Sequence, residues 1–234
     1  MTKKLRLLSG GAAQGLVTPL RDRFQAESGC VVQGTFGAVG AMRDKLLAGE
    51  PCDLVILTQA IIDQLATDGH VVRGSDVPLG VVMTGIAVKS GEPAPRVDSA
   101  ASLKAALLAA TGIYLPDPQK ATAGIHFVKV LEKLGIAGEL APRLHPFPNG
   151  AAAMHAMAQS AQAGLIGCTQ VTEILFAPGV DLAGLLPKEF ELATVYTAAV
   201  CTKAAEPDAA REFIRLMAGA DAAELRAKGG FEKV

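Results

Sequence analysis

Two rhythms of apolar and polar positions alternate along this chain. Short runs of apolar and β-branched residues recur, and longer stretches with apolar residues every three or four positions separate them. The short runs predict strands at Leu5–Leu8, Val31–Phe36, Leu54–Leu57, Gly80–Val88, Gly112–Leu115, Leu165–Cys168 and Thr194–Cys201. The longer stretches predict helices at Leu16–Glu27, Ala41–Ala48, Ala60–Asp68, Ala101–Ala109, Ala123–Leu134, Gly150–Gln159, Pro207–Ala218 and Ala222–Lys228. Gly49-Glu50-Pro51 reads as a helix stop, and Pro207-Asp208 as a proline-led helix start. Strand and helix in alternation predict an α/β fold built on parallel strands.

One local design repeats within this pattern. An apolar strand runs into a turn of small residues, and the turn opens a helix. The first case is Ser9-Gly10-Gly11-Ala12, the second Gly37-Ala38-Val39-Gly40, and the third Pro116-Asp117-Pro118 leading to Thr122-Ala123-Gly124. A helix start carries free backbone N–H groups and the positive end of the helix dipole. Small residues let a ligand reach that backbone, so such turns predict a site for a small anion. None of them matches a nucleotide-binding glycine motif.

Gly80–Val88 and Thr194–Cys201 are the long apolar runs, and each is expected to cross between two lobes. The predicted lobes are residues 1–82 plus 197–234, and residues 83–196. Two crossing strands would form a hinge with the ligand in the cleft.

Composition narrows the function. Half of the 234 residues are hydrophobic, enough for a substantial core. A net charge of −1 and an absence of tryptophan argue against a nucleic-acid partner. Polar residues interrupt every apolar run too early for membrane insertion. Leu5–Leu8 after Met1-Thr2-Lys3-Lys4 is too short for a secretory core. The chain is therefore expected to be cytoplasmic as written, or periplasmic if a signal segment has been removed. Cys30, Cys52, Cys168 and Cys201 lack metal-ligand spacing and read as small core residues. No metal and no cofactor is expected.

Further candidates follow from position. Thr58 and Gln59 end an apolar strand, and so do Thr169 and Gln170; in open α/β sheets that edge faces ligands. Thr58 also reads as a plain helix cap, and Asn149 does likewise before its helix. His126 lies within the first turns of a helix, where the positive end would favour a neutral imidazole able to accept a proton. Packing is the competing reading for it. Asp44, Glu132, Glu173 and Glu212 are placed on solvated helix faces.

The phrases Gly49-Glu50-Pro51-Cys52-Asp53-Leu54-Val55-Ile56-Leu57-Thr58-Gln59, Asp117-Pro118-Gln119-Lys120-Ala121-Thr122-Ala123-Gly124, and Tyr196-Thr197-Ala198-Ala199-Val200 with Gly230-Phe231 occur in order. Together they resemble the periplasmic molybdate-binding proteins of ABC transporters, over nearly the whole chain. The resemblance implies the type II periplasmic-binding-protein fold, two α/β lobes joined by a two-strand hinge. It implies a small anionic ligand and, for an exported protein, a transporter permease as partner.

The departures from that family set the expected ligand. The serines of its first two turns fall at Ala12 and at Ala38 or Val39, and a site-closing tyrosine falls at Gly167. A dehydrated oxyanion would lose about 1–3 kcal/mol for each missing partner. An organic carboxylate is expected instead, in a roomier pocket. The resemblance also implies an alternative, since the same fold hosts an aconitate isomerase. In a cofactor-free proton shift of that kind, His126 would be the base and the turn N–H groups would stabilise enolate-like charge.

Overall fold

The computed structural model describes residues 3–234. The chain divides into two compact units, one comprising the chain up to Val82 with Thr194–Val234, the other Met83–Ala193. In chain order, the first unit begins with β1 (Lys4–Gly10), α1 (Gln14–Ser28), β2 (Val31–Gly37), α2 (Val39–Leu47), β3 (Leu54–Thr58) and α3 (Gln59–Thr67). The long strand β4 (Val77–Lys89) leads on into the second unit. That unit contains α4 (Ala100–Ala109), β5 (Gly112–Pro116), α5 (Thr122–Lys133), α6 (Ala137–Leu140), β6 (Leu144–Phe147), α7 (Gly150–Gln159), β7 (Leu165–Gln170), α8 (Val171–Phe176) and β8 (Val180–Leu185). β9 (Ala193–Val200), α9 (Pro207–Ala218), α10 (Ala223–Lys228) and β10 (Phe231–Glu232) complete the first unit. The return falls at Thr194 rather than 197.

In unit 1, β1 pairs in parallel with β2 and β3, and β9 pairs antiparallel with β3. Every residue of β3 is buried, which is why its sequence is a continuous apolar run rather than an alternating one. Phe24 of α1 packs on Phe213 of α9 with ring centroids 4.9 Å apart. Asp53 ties the returning segment to this sheet. One of its carboxylate oxygens accepts from Arg6 N at 2.7 Å, the other from Ala205 N at 2.6 Å and Glu206 N at 3.1 Å. The acidic residue in the Pro51-Cys52-Asp53 phrase therefore holds the segment that leads into α9. α2 ends as expected, with Gly49 in the left-handed region (φ 88°).

In unit 2, β7 pairs in parallel with β5 and antiparallel with β4; β5 pairs with β6, and β8 with β4. The sheet is covered on both faces. Ile86, Ile113, Leu115, Ile166 and Cys168 pack with Leu103 and Leu107 of α4 and Phe127 of α5. On the opposite face Ala87 and Leu165 pack with Met154 and Met157 of α7. All four cysteines are buried and free.

Candidate functional site

The register of unit 1 brings its three strand ends to one edge. Ser9 lies opposite Phe36 of β2 and Ile56 of β3, and Gly10 opposite Gly37. From that edge a short 3-10 turn (Gly11–Ala13) leads into α1, while α2 and α3 start directly. No side chain caps any of these helices; the residues before them are Ala13, Ala38 and Thr58. Gly10, Gly11, Ala12, Ala38, Val39 and Thr58 thus share one sheet edge. The Ser9 hydroxyl donates to the carbonyl of Gly10 at 2.9 Å. A Cβ on Gly10 would lie 2.7 Å from Val39 Cγ1 and 3.0 Å from the Tyr196 ring, so only glycine lets the second helix start this close to β1. The Gln59 side chain is committed locally, its oxygen accepting from Thr197 Oγ1 at 2.5 Å and its Nε2 donating to Asp63 at 2.8 Å.

Unit 2 gathers a second set of strand ends. α5 starts after β5 with Ala121 before it and no side-chain cap. A Cβ on Gly124 would collide with the carbonyls of Pro116 and Asp117, so this glycine lets α5 lie close against the end of β5. His126 Nε2 meets the Phe190 carbonyl at 2.7 Å; the carbonyl can only accept, so this nitrogen carries the proton. The imidazole thereby anchors the segment before β9.

The start of α7 differs from the others, because the protein itself supplies a carboxyl acceptor there. Asn149 Oδ1 accepts from Ala152 N at 2.8 Å. Glu173 Oε1 accepts from Gly150 N at 3.1 Å and Ala151 N at 3.3 Å, and its Oε2 from the Thr169 hydroxyl at 2.5 Å. Glu173 is buried, not solvated as its sequence suggested, and burial pushes its carboxyl pKa up against the pull of these hydrogen bonds. A Cβ on Gly150 would fall on the Thr169 hydroxyl and the Glu173 carboxylate, which explains the glycine. Asn149 and Thr169 therefore spend their side chains within the protein. Gly167 likewise opens no room, since the Met154 thioether fills the space a Cβ would take.

Gln170 behaves differently. It is 2% exposed, and neither its Nε2 nor its Oε1 has a partner. Thr84, directly opposite on β4, is 1% exposed with an unpartnered hydroxyl; Thr172 is a third such residue, 3% exposed. Thr84 and Thr172 are absent from the sequence reading, which had no means of pairing residues on distant strands. An apolar cavity of about 360 Å³ lies elsewhere in this unit, against Val88, Pro93, Pro95, Ala106, Ala110 and Ile166, and includes none of the candidate residues. Among the described residues there is no cluster of acidic, histidine and cysteine side chains able to hold a metal, and no helix is long and apolar enough to cross a membrane.

The family model for bacterial extracellular solute-binding proteins matches residues 5–232. The chain belongs to this family. The solute-binding protein is 27% identical to an aconitate isomerase from Pseudomonas sp. over 98% of this chain and 88% of that protein. It is 24% identical to the molybdate-binding protein ModA of Escherichia coli, over 94% of this chain and 86% of that one. Among solved structures, the periplasmic molybdate-binding protein of Azotobacter vinelandii superposes with a TM-score of 0.76 at 20% identity, covering 97% and 98% of the two chains. The type II periplasmic-binding-protein fold and the resemblance to molybdate-binding proteins read from the sequence both hold for this solute-binding protein.

Proposed function

We propose that this solute-binding protein takes up a small organic anion, a carboxylate rather than molybdate, on the uncapped helix starts at the carboxyl edges of its sheets. The supporting observation lies at the edge of unit 1, where three positions of the helix-opening turns carry no hydroxyl. Ala12, Ala38 and Val39 sit where molybdate-binding relatives are expected to offer serines, while α1, α2 and α3 begin without a side-chain cap. Backbone N–H groups alone suit a carboxylate, whose two oxygens need few donors. A tetrahedral oxyanion stripped of water needs partners on all four. Ser9, Gly10, Gly11, Ala12, Ala38, Val39 and Thr58 form the proposed contact set in unit 1; Thr122, Ala123, Gly124 and Gln170 form it in unit 2. Gln59, Asn149 and Thr169 belong to it through their backbone only. A membrane permease is the partner on this reading. Titration calorimetry with dicarboxylates, tricarboxylates, molybdate and sulfate tests it. Saturable heat with a carboxylate and none with molybdate is expected; the reverse pattern refutes it.

A second reading, a cofactor-free isomerase of an unsaturated polycarboxylate, is favoured by the 27% identity to an aconitate isomerase over 98% of the chain. On that reading His126 keeps its Nε2 proton on Phe190 and offers Nδ1 as the base. Incorporation of solvent deuterium into cis- or trans-aconitate tests turnover. A His126→Ala variant that exchanges at the wild-type rate removes the histidine from the mechanism.

A further inference from the structure

The buried polar atoms of unit 2 can be counted as donors and acceptors. Gln170 ends β7 and Thr84 faces it across the antiparallel pair. Residues directly opposite in such a pair carry their side chains on the same face. Cys168 and Ile166 precede Gln170 by two and four positions, and Ile86 follows Thr84 by two; all three belong to the core under α4 and α5. Alternation therefore puts the amide and the hydroxyl on the α5 face of the sheet. There α5 starts without a side-chain cap, its Gly124 pressed against the end of β5. Glu173 bonds to the start of α7, which covers the other face.

An unpartnered buried amide is costly, because both its N–H groups and its oxygen have lost water. A carboxylate or a tetrahedral oxyanion could answer the N–H groups, but neither has a proton for the Gln170 oxygen. The missing group must donate as well as accept. An ammonium would call for a carboxylate beside it, and the nearby Glu173 is spent on Gly150, Ala151 and Thr169. A neutral hydroxyl can donate to the Gln170 oxygen and accept from the Thr84 hydroxyl, while a carboxylate on the same ligand answers the amide N–H groups.

Building on the proposed carboxylate binding, we infer that Gln170 and Thr84 select a hydroxycarboxylate: the carboxylate lies on backbone N–H groups such as those of α5, and the ligand's hydroxyl donates to Gln170 and accepts from Thr84.

Matched acids test this on the full chain: malate against succinate and citrate against tricarballylate, with aspartate as the ammonium control. The wild-type protein is expected to bind the hydroxy acid of at least one pair roughly tenfold or more tightly than its deoxy partner, since the latter leaves the amide unpaired. The Thr84→Val/Gln170→Met variant should lose that preference, binding the hydroxy acid and its deoxy partner about equally. It should also melt no lower than wild type without ligand, because no protein hydrogen bond has been removed. A variant that keeps the hydroxyl preference overturns the inference, as does a wild type indifferent to the hydroxyl or one that prefers aspartate; binding of either deoxy acid leaves the carboxylate reading standing. A melting point well below wild type would mean that the two side chains serve the core, and would also overturn the inference. Binding of molybdate and of no carboxylate overturns both.

Discussion

Replacing Glu173 should separate its two roles, as helix cap and as buried charge. In Glu173→Ala the N–H groups of Gly150 and Ala151 lose their acceptor, and the Thr169 hydroxyl loses its own. The hydroxyl can rotate, but the two amides are fixed by the helix. At about 1–3 kcal/mol for each orphaned buried donor, with relief of charge burial in opposition, the expected loss is about 2–4 kcal/mol. For a chain of this length that lowers Tm by roughly 4–16 °C. Glu173→Gln keeps an oxygen on the two amides and presents an N–H₂ to Thr169, whose hydroxyl then accepts. Its Tm at neutral pH should lie close to that of wild type. The pH dependence has a definite sign. Burial raises the Glu173 pKa above its unfolded value near 4.5, so the folded state keeps a proton that the unfolded state has released. The wild type must then lose stability relative to Glu173→Gln as pH rises from about 4.5 through the raised pKa, with no further change above it. Thermal melts of the three proteins across that range are the assay. An alanine variant within about 2 °C of wild type would refute the capping role, and a Gln variant with an unchanged pH profile would refute the buried charge.

Other consequences can be checked with the same preparations. Gly150→Ala drives a methyl into the Thr169 hydroxyl and the Glu173 carboxylate, and should cost about 1–3 kcal/mol in urea unfolding. Asp53→Ala frees the N–H groups of Arg6, Ala205 and Glu206 and should lower stability by about 2–4 kcal/mol, with early proteolysis near residue 205 as its signature. Ellman's reagent should find no reactive thiol in the native protein and all four after denaturation, because each cysteine is buried.

The strand–helix rhythm made most of the architecture legible, because buried parallel strands such as Leu54–Thr58 are unbroken apolar runs and glycine turns mark where they stop. Five of the labelled elements escaped that signal; two of them, α6 and β10, are too short to show a period. β6 is a four-residue strand containing Pro146, which its sequence disguises as a loop. α8 follows β7 without a turn residue, so Thr169 and Gln170 read only as the end of the strand Leu165–Cys168 and no helix is expected after them. β8 is mostly exposed and carries little apolar pattern. At the site, the small-residue turns were visible because their composition is local. The Gly150–Glu173 cap was not, because its partners lie 23 residues apart in the chain. Its one local sign was a single carboxylate inside the apolar run Val171–Phe176. The thioether that closes the space at Gly167 was equally nonlocal.

A crystal structure of the protein grown with excess malate and equimolar molybdate would examine the ligand reading at atomic resolution. The expected density is a malate whose carboxylate oxygens lie about 2.7–3.2 Å from the backbone N–H groups of residues 122–124. Molybdate bound at those same amides, with malate excluded, would contradict it.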